Sequence, residues 1–125
     1  MGETPSFAFL LLKEHPYGRE MLSQLLSEGF VPTIIIEEDS AIGDEEREKF
    51  LKRIEGSPVA PTIVEQIADL DVVHLTVPIH NSAEVMPHLT DMELDLVVFG
   101  GTRIIRGDIL DHPKDGVINS HPGLL

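Results

Sequence analysis

Cysteine is absent from the 125 residues, which excludes a disulfide framework and any cysteine-ligated zinc site. Basic residues are scarce. Nine Lys and Arg stand against 22 Asp and Glu, a formal net charge of −13 at pH 7. That balance argues against a phosphate-tracking surface on this segment, and so against nucleic acid as its partner. No apolar run approaches the roughly eighteen residues that a membrane span needs. Phe7 to Leu12 is apolar, but it is short and lacks a basic lead, so it does not read as a secretory signal. Repeats and low-complexity tracts are also lacking. Together these absences predict a soluble cytoplasmic protein of one domain, with a hydrophobic fraction of 42% that suffices for a core.

One more absence concerns a motif. FAFLLL, residues 7–12, reads as a central parallel strand buried on both faces. A dinucleotide-binding chain would follow it with G-x-G-x-x-G. Here the next residues are Lys13-Glu14-His15-Pro16-Tyr17-Gly18, with one glycine, and the NAD reading loses its main support.

What is present alternates strand and helix. Arg19 to Glu28 reads as a helix, with Met21, Leu22, Leu25 and Leu26 on one stripe and Gly29 beyond its end. Thr33 to Ile36 is β-branched and reads as a second strand. Glu37 to Asp44 is acidic and loop-like. A surface helix is expected from Asp44 to Glu55, with Asp44 as N-cap, Glu45–Lys49 and Glu48–Lys52 as i,i+4 pairs, and Gly56 as stop. Thr62 to Ala68 reads as a short helix and Val72 to Val77 as a third strand, in which His74 is expected to be a satisfied sheet histidine. Asn81 to Leu89 has the marks of a capped helix, with Glu84 three residues after Asn81. Leu94 to Phe99 is a fourth strand. The order predicts parallel strands joined by crossover helices. No motif links the histidines into a metal site.

The last thirty-two residues, LDLVVFGGTRIIRGDILDHPKDGVINSHPGLL, carry the chemistry. A strand breaks at Gly100-Gly101, a loop and brief helix follow, and Pro113 to Gly116 forms a turn. A fifth strand, near residues 117–120, leads to Asn119, His121 and Pro122. Residues two apart on a strand share a face. An amide and an imidazole at the carboxyl end of an α/β strand suit acyl transfer: the amide N–H donates to an oxyanion and the imidazole moves a proton. Satisfying backbone groups at a strand end is the other reading of the same pair.

This stretch resembles the folate-dependent formyltransferases, a family that includes methionyl-tRNA, glycinamide-ribonucleotide and sugar-amine formyltransferases and formyltetrahydrofolate hydrolases. The match runs in order through Asp95, Leu96, Val97, Val98, Gly100, Arg103, Ile104, Ile105, Ile109, Leu110, Pro113, Gly116, Asn119, His121, Pro122, Leu124 and Leu125. It departs at Gly123, where the family usually has serine, and at Gly101, where a bulkier residue is common. The resemblance implies a Rossmann-like open parallel sheet of about seven strands, of which this chain would hold the N-terminal part, truncated at its C-terminal side within the signature. It also implies 10-formyltetrahydrofolate as formyl donor, bound beside Arg103, Ile104 and Ile105. The acceptor would be an amine, on a sugar, a nucleotide or an aminoacyl-tRNA, with Asn119 and His121 as the catalytic pair. The family's catalytic aspartate would lie further on, so residues 1–125 alone are expected to have little activity. A non-catalytic folate-binding or interaction module of the same fold, and a formyltetrahydrofolate hydrolase, are the alternatives.

Overall fold

The computed structural model describes residues 6–78, 87, 94–100 and 117–120, with the backbone alone at 119 and 120. Strand β1, Phe7–Leu12, is buried along its whole length. Its side chains alternate between two apolar clusters, as a strand's period of two requires. Phe7, Phe9 and Leu11 join Leu22, Ile35, Ile63, Ile67 and Val98 on one face of the sheet. Ala8 and Leu10 join Ile34, Ile36, Val77, Leu94, Val97 and Phe99 on the other. Each fully buried Leu, Ile or Phe contributes about 1.5–3 kcal/mol relative to exposure, so β1 is the seam on which both clusters depend.

Around it lie β2 (Ile34–Glu38), β3 (Val73–Val77), β4 (Leu96–Gly100) and β5 (Val117–Ser120). The described strands form one sheet in the order β3-β2-β1-β4-β5, and every pairing is parallel. The chain is thus an α/β fold with a Rossmann-like parallel sheet. At the amino edge, Ser6 and Asp95 clip β1 to β4. The Ser6 N–H donates to Asp95 Oδ2 at 3.1 Å, and the Asp95 N–H donates to the Ser6 carbonyl at 3.0 Å.

Helix α1, Pro16–Ser27, starts about one turn earlier than its apolar stripe predicts. Proline is suited to the first turn because its missing N–H would have no partner there. The stripe is as expected: Leu22 is buried, and Met21, Leu25 and Leu26 pack around the same cluster. The helix ends where glycine stands. Gly29 has φ +87°, and the N–H groups of Gly29 and Phe30 return to the Leu26 and Leu25 carbonyls at 3.0 and 2.9 Å.

The stretch expected to be an acidic loop, Glu37 to Asp44, is not one. β2 continues through Glu38, and helix α2 (Ala41–Arg53) begins two residues after Asp39. Ser40, not Asp44, is the N-cap, its Oγ accepting the Gly43 N–H at 2.9 Å. Asp44 lies in the first turn, where the helix dipole favours a carboxylate. Strand character extends through two glutamates because their carboxylates find partners inside the fold, Glu37 with His74 and Glu38 with Ser40. A short helix α3, Ile63–Ile67, opens with a capping box between Thr62 and Glu65 and sets Ile63 and Ile67 into the α1 face. The helix expected at Asn81 to Leu89 lies outside the described residues, apart from Pro87.

Candidate functional site

In an open parallel sheet, ligands bind outside the carboxyl ends of the strands where the strand order reverses. Here β2 and β3 lie on one side of β1, and β4 and β5 on the other. The reversal therefore falls between the carboxyl ends of β1 and β4, at Leu12 and Gly100.

Two glycines shape this point. Helix α1 approaches β4 so closely that a Cβ on Gly18 would stand 2.5 Å from the Gly100 carbonyl oxygen and 2.6 Å from Leu11 Cδ1. A Cβ on Gly100 would drive into the Phe9 ring. Both close approaches need the absence of a side chain.

On the β1–β2–β3 side, the polar groups are bound to one another. His15 caps α1, its Nδ1 accepting the Tyr17 N–H at 3.1 Å. Its ring packs on Phe50 of α2 with centroids 4.7 Å apart. Burial, aided by the positive charge of Arg47, lowers the His15 pKa to about 4, so the ring is neutral near pH 7. A neutral, capped imidazole thus stands where a glycine-rich phosphate loop would stand in a nucleotide-binding chain. Arg47 donates to the Lys13 carbonyl at 2.9 Å and pairs with Asp44 at 3.2 Å. Lys13 pairs with Asp39 across the ends of β1 and β2 at 3.3 Å.

His74 is the satisfied sheet histidine that its place in the strand predicts. Its Nε2 bonds Glu37 Oε1 on the neighbouring strand. That hydrogen bond, reinforced by the charges of Glu37 and Glu14, raises the His74 pKa against the opposing effect of burial. Glu37, 3% exposed, had no sequence signal as an interior residue. Its partners lie 23 and 37 positions away, at Glu14 and His74. Among the described residues, no group of three or more His, Asp or Glu is placed to hold a metal ion.

On the β4–β5 side, Asn119 lies at the carboxyl end of β5, in register with Phe99, and Ser120 pairs with Gly100. This puts the Asn119 backbone one strand from the reversal point. Arg103, Ile104 and Ile105, between β4 and β5, and His121, just past β5, lie outside the described residues. No helix among the described residues is long and apolar enough to cross a membrane. No protein-family model matches the chain, and no curated protein sequence matches it.

Proposed function

We propose that this chain takes part in formyl transfer from 10-formyltetrahydrofolate to an amine, as an N-terminal domain of the formyltransferase type. One observation carries the reading. The ordered run of residues that resembles the family begins at Asp95, just before β4, and reaches Asn119 on β5; β4 borders the reversal point and β5 is the adjacent parallel strand. That is where an α/β sheet of this order offers a ligand crevice.

In the proposed reaction the amine lone pair attacks the formyl carbon, and the carbonyl electrons move onto oxygen. Asn119 donates its amide N–H to that oxyanion, a contribution of about 3 kcal/mol to lowering the barrier. His121 takes the proton released by the attacking amine. Collapse of the intermediate re-forms the carbonyl and breaks the bond between the formyl carbon and folate N10, which receives the proton. The products are a formamide and tetrahydrofolate. Arg103, Ile104 and Ile105 would line the folate side of the crevice.

The test joins binding to turnover. Calorimetric titration of the full-length protein, used throughout, with 5-formyltetrahydrofolate should show binding. With 10-formyltetrahydrofolate and a panel of amines (an amino-sugar nucleotide, glycinamide ribonucleotide, an aminoacyl-tRNA), tetrahydrofolate release should depend on one acceptor. Release without any acceptor would assign a hydrolase, and binding without release a folate-binding module. Neither binding nor release would overturn the reading.

A further inference from the structure

Outside the proposed formyl site, two side chains, His74 and Glu37, connect strand β3 to the backbone of the turn between β1 and α1. Glu37, on β2, is buried in the face that α1 and α3 cover. Its Oε1 meets His74 Nε2 on β3, and its Oε2 accepts the backbone N–H of Glu14 at 2.7 Å. Glu14 belongs to the turn between β1 and α1, at the reversal point. It has φ +50°, the one positive value at a non-glycine residue among those described. Such a backbone persists only when its surroundings hold it. The Glu14 carboxylate is held as well, accepting the Ile63 N–H at 3.0 and 3.2 Å and standing 3.7 Å from Arg19 Nε. Arg19 in turn donates to the Ala60 carbonyl at 2.7 Å.

We propose that Glu37 and His74 form a charge-governed latch on the β1–α1 turn, closed while His74 carries its proton and eased when that proton leaves. The physical reason is the cost of a buried carboxylate. With His74 protonated, Glu37 is the anion of an ion pair, and its second oxygen is free to grip the Glu14 N–H. Without that charge, Glu37 is a buried carboxylate held by neutral donors alone, and its withdrawal from the interior costs less than before. That withdrawal weakens the grip on Glu14.

Among the described residues, the charged groups facing this unit are few. Glu14 from the turn adds negative potential at His74. Arg19 from α1 faces Glu14, and Glu65 in the exposed first turn of α3 interacts with Arg19. The His74 pKa is raised, so the latch is fully closed below the ordinary value of 6.5 and opens as pH rises through the higher folded-state value. Nothing in this depends on the reaction at β4 and β5, although the turn borders the same crevice.

Nuclear magnetic resonance titration from about pH 5 to 9 tests the latch without substrate. The His74 ring resonance, assigned by its loss in His74→Gln, should titrate with a midpoint above 6.5. The Glu14 amide proton should move with the same midpoint, from a downfield position at low pH. His74→Gln keeps a donor but no titrating charge, and should abolish the Glu14 response in that range. Glu37→Gln should bring the His74 midpoint down and also abolish the response. A Glu14 amide that stays still while His74 titrates would overturn the proposal, as would an unchanged Glu14 curve in His74→Gln. The wild-type titration alone decides the matter if neither variant folds.

Discussion

The two sides of the reversal point differ in what their strand ends carry. On the β1–β2–β3 side, the polar side chains at the carboxyl ends are tied up in bonds that hold the fold. His15 caps a helix, Glu37 joins β2 to β3 and to the β1–α1 turn, and Glu38 binds the N-cap Ser40. On the β4–β5 side, the described strand ends carry Gly100 and then Asn119 and Ser120, with the family-like loop residues between. A group already satisfied by protein partners has little left to offer a substrate. Under the proposed function the chemistry falls to the β4–β5 side, and substitutions on the two sides should then fail in different assays.

The largest effect is expected at Asn119. If its amide serves an oxyanion, Asn119→Ala in the full-length protein lowers kcat roughly 10²-fold or more, with folate affinity and melting temperature little changed. His121→Ala does likewise, and the double variant falls short of the product of the single losses because both residues act on one intermediate. Single-turnover formyl transfer beside calorimetric folate binding is the measurement. A variant that lost stability and kept turnover would place Asn119 with the structural residues and erase the contrast.

His15 sharpens the other half. Its folded-state pKa of about 4 lies below the ordinary histidine value of 6.5. The unfolded chain therefore takes up this proton first as the solution is acidified. Stability is favoured above pH 6.5, falls as pH drops toward 4, and loses about 3 kcal/mol from this residue in all. Asn is a good cap without a titrating ring. His15→Asn should thus show a shallower loss of urea stability between pH 7 and 4, whatever constant offset follows from removing the Phe50 contact. Equal slopes in the two proteins would mean that His15 protonates freely in the fold.

How far the sequence discloses each side follows the range of the interactions involved. FAFLLL announces a central strand by its composition alone, and the Met21–Leu26 stripe announces the inner face of α1. The carboxyl end of β2 is hidden, because Glu37 and Glu38 have the look of a solvated loop until residues far along the chain supply their partners. The start of α1 at Pro16 had a local signal, proline in a first turn, which a reading based on apolar periodicity passes over. His74 is legible in kind, as a paired sheet histidine, but its partner is not. On the other side, the strand carrying Asn119 and its place at the sheet's carboxyl edge are legible from the apolar runs and the turn before it. The Arg103–Ile105 loop and His121 rest on the resemblance.

Gly18→Ala probes the contact where the two sides meet. The new methyl would face a backbone oxygen at 2.5 Å and Leu11 Cδ1 at 2.6 Å, and the carbonyl cannot swing away as a surface side chain could. Displacing α1 from β4 should cost about 1–3 kcal/mol. Both chemistry and stability should suffer here, since the shift moves a crevice wall as well as a packed helix. Urea denaturation and the folate titration measure the two effects. A fully stable Gly18→Ala protein with unaltered folate binding would show that α1 and β4 can separate without consequence, and the crevice would need another wall.

The smallest effect is expected on the outer surface, and it tests whether charge by itself supports the structural side. Lys49, on α2, stands 3.7 Å from Glu45 and 3.7 Å from Glu46, one and roughly one turn back along the helix. All three side chains are well exposed, so water screens the attraction and the pairs contribute a few tenths of a kcal/mol at most. The chain as a whole is strongly acidic, at −13, so removing a cation also adds to its self-repulsion. Lys49→Ala, which gains helix propensity as it loses the pairs, should therefore change urea stability by less than about 0.5 kcal/mol. What loss there is should shrink further as salt rises from about 0.01 to 1 M, because the screening length falls from about 30 to 3 Å. A salt-independent loss above about 1 kcal/mol would mean that Lys49 holds α2 by packing its aliphatic stem and not by charge. The structural side of the molecule would then extend to its surface, beyond the buried network at Glu37.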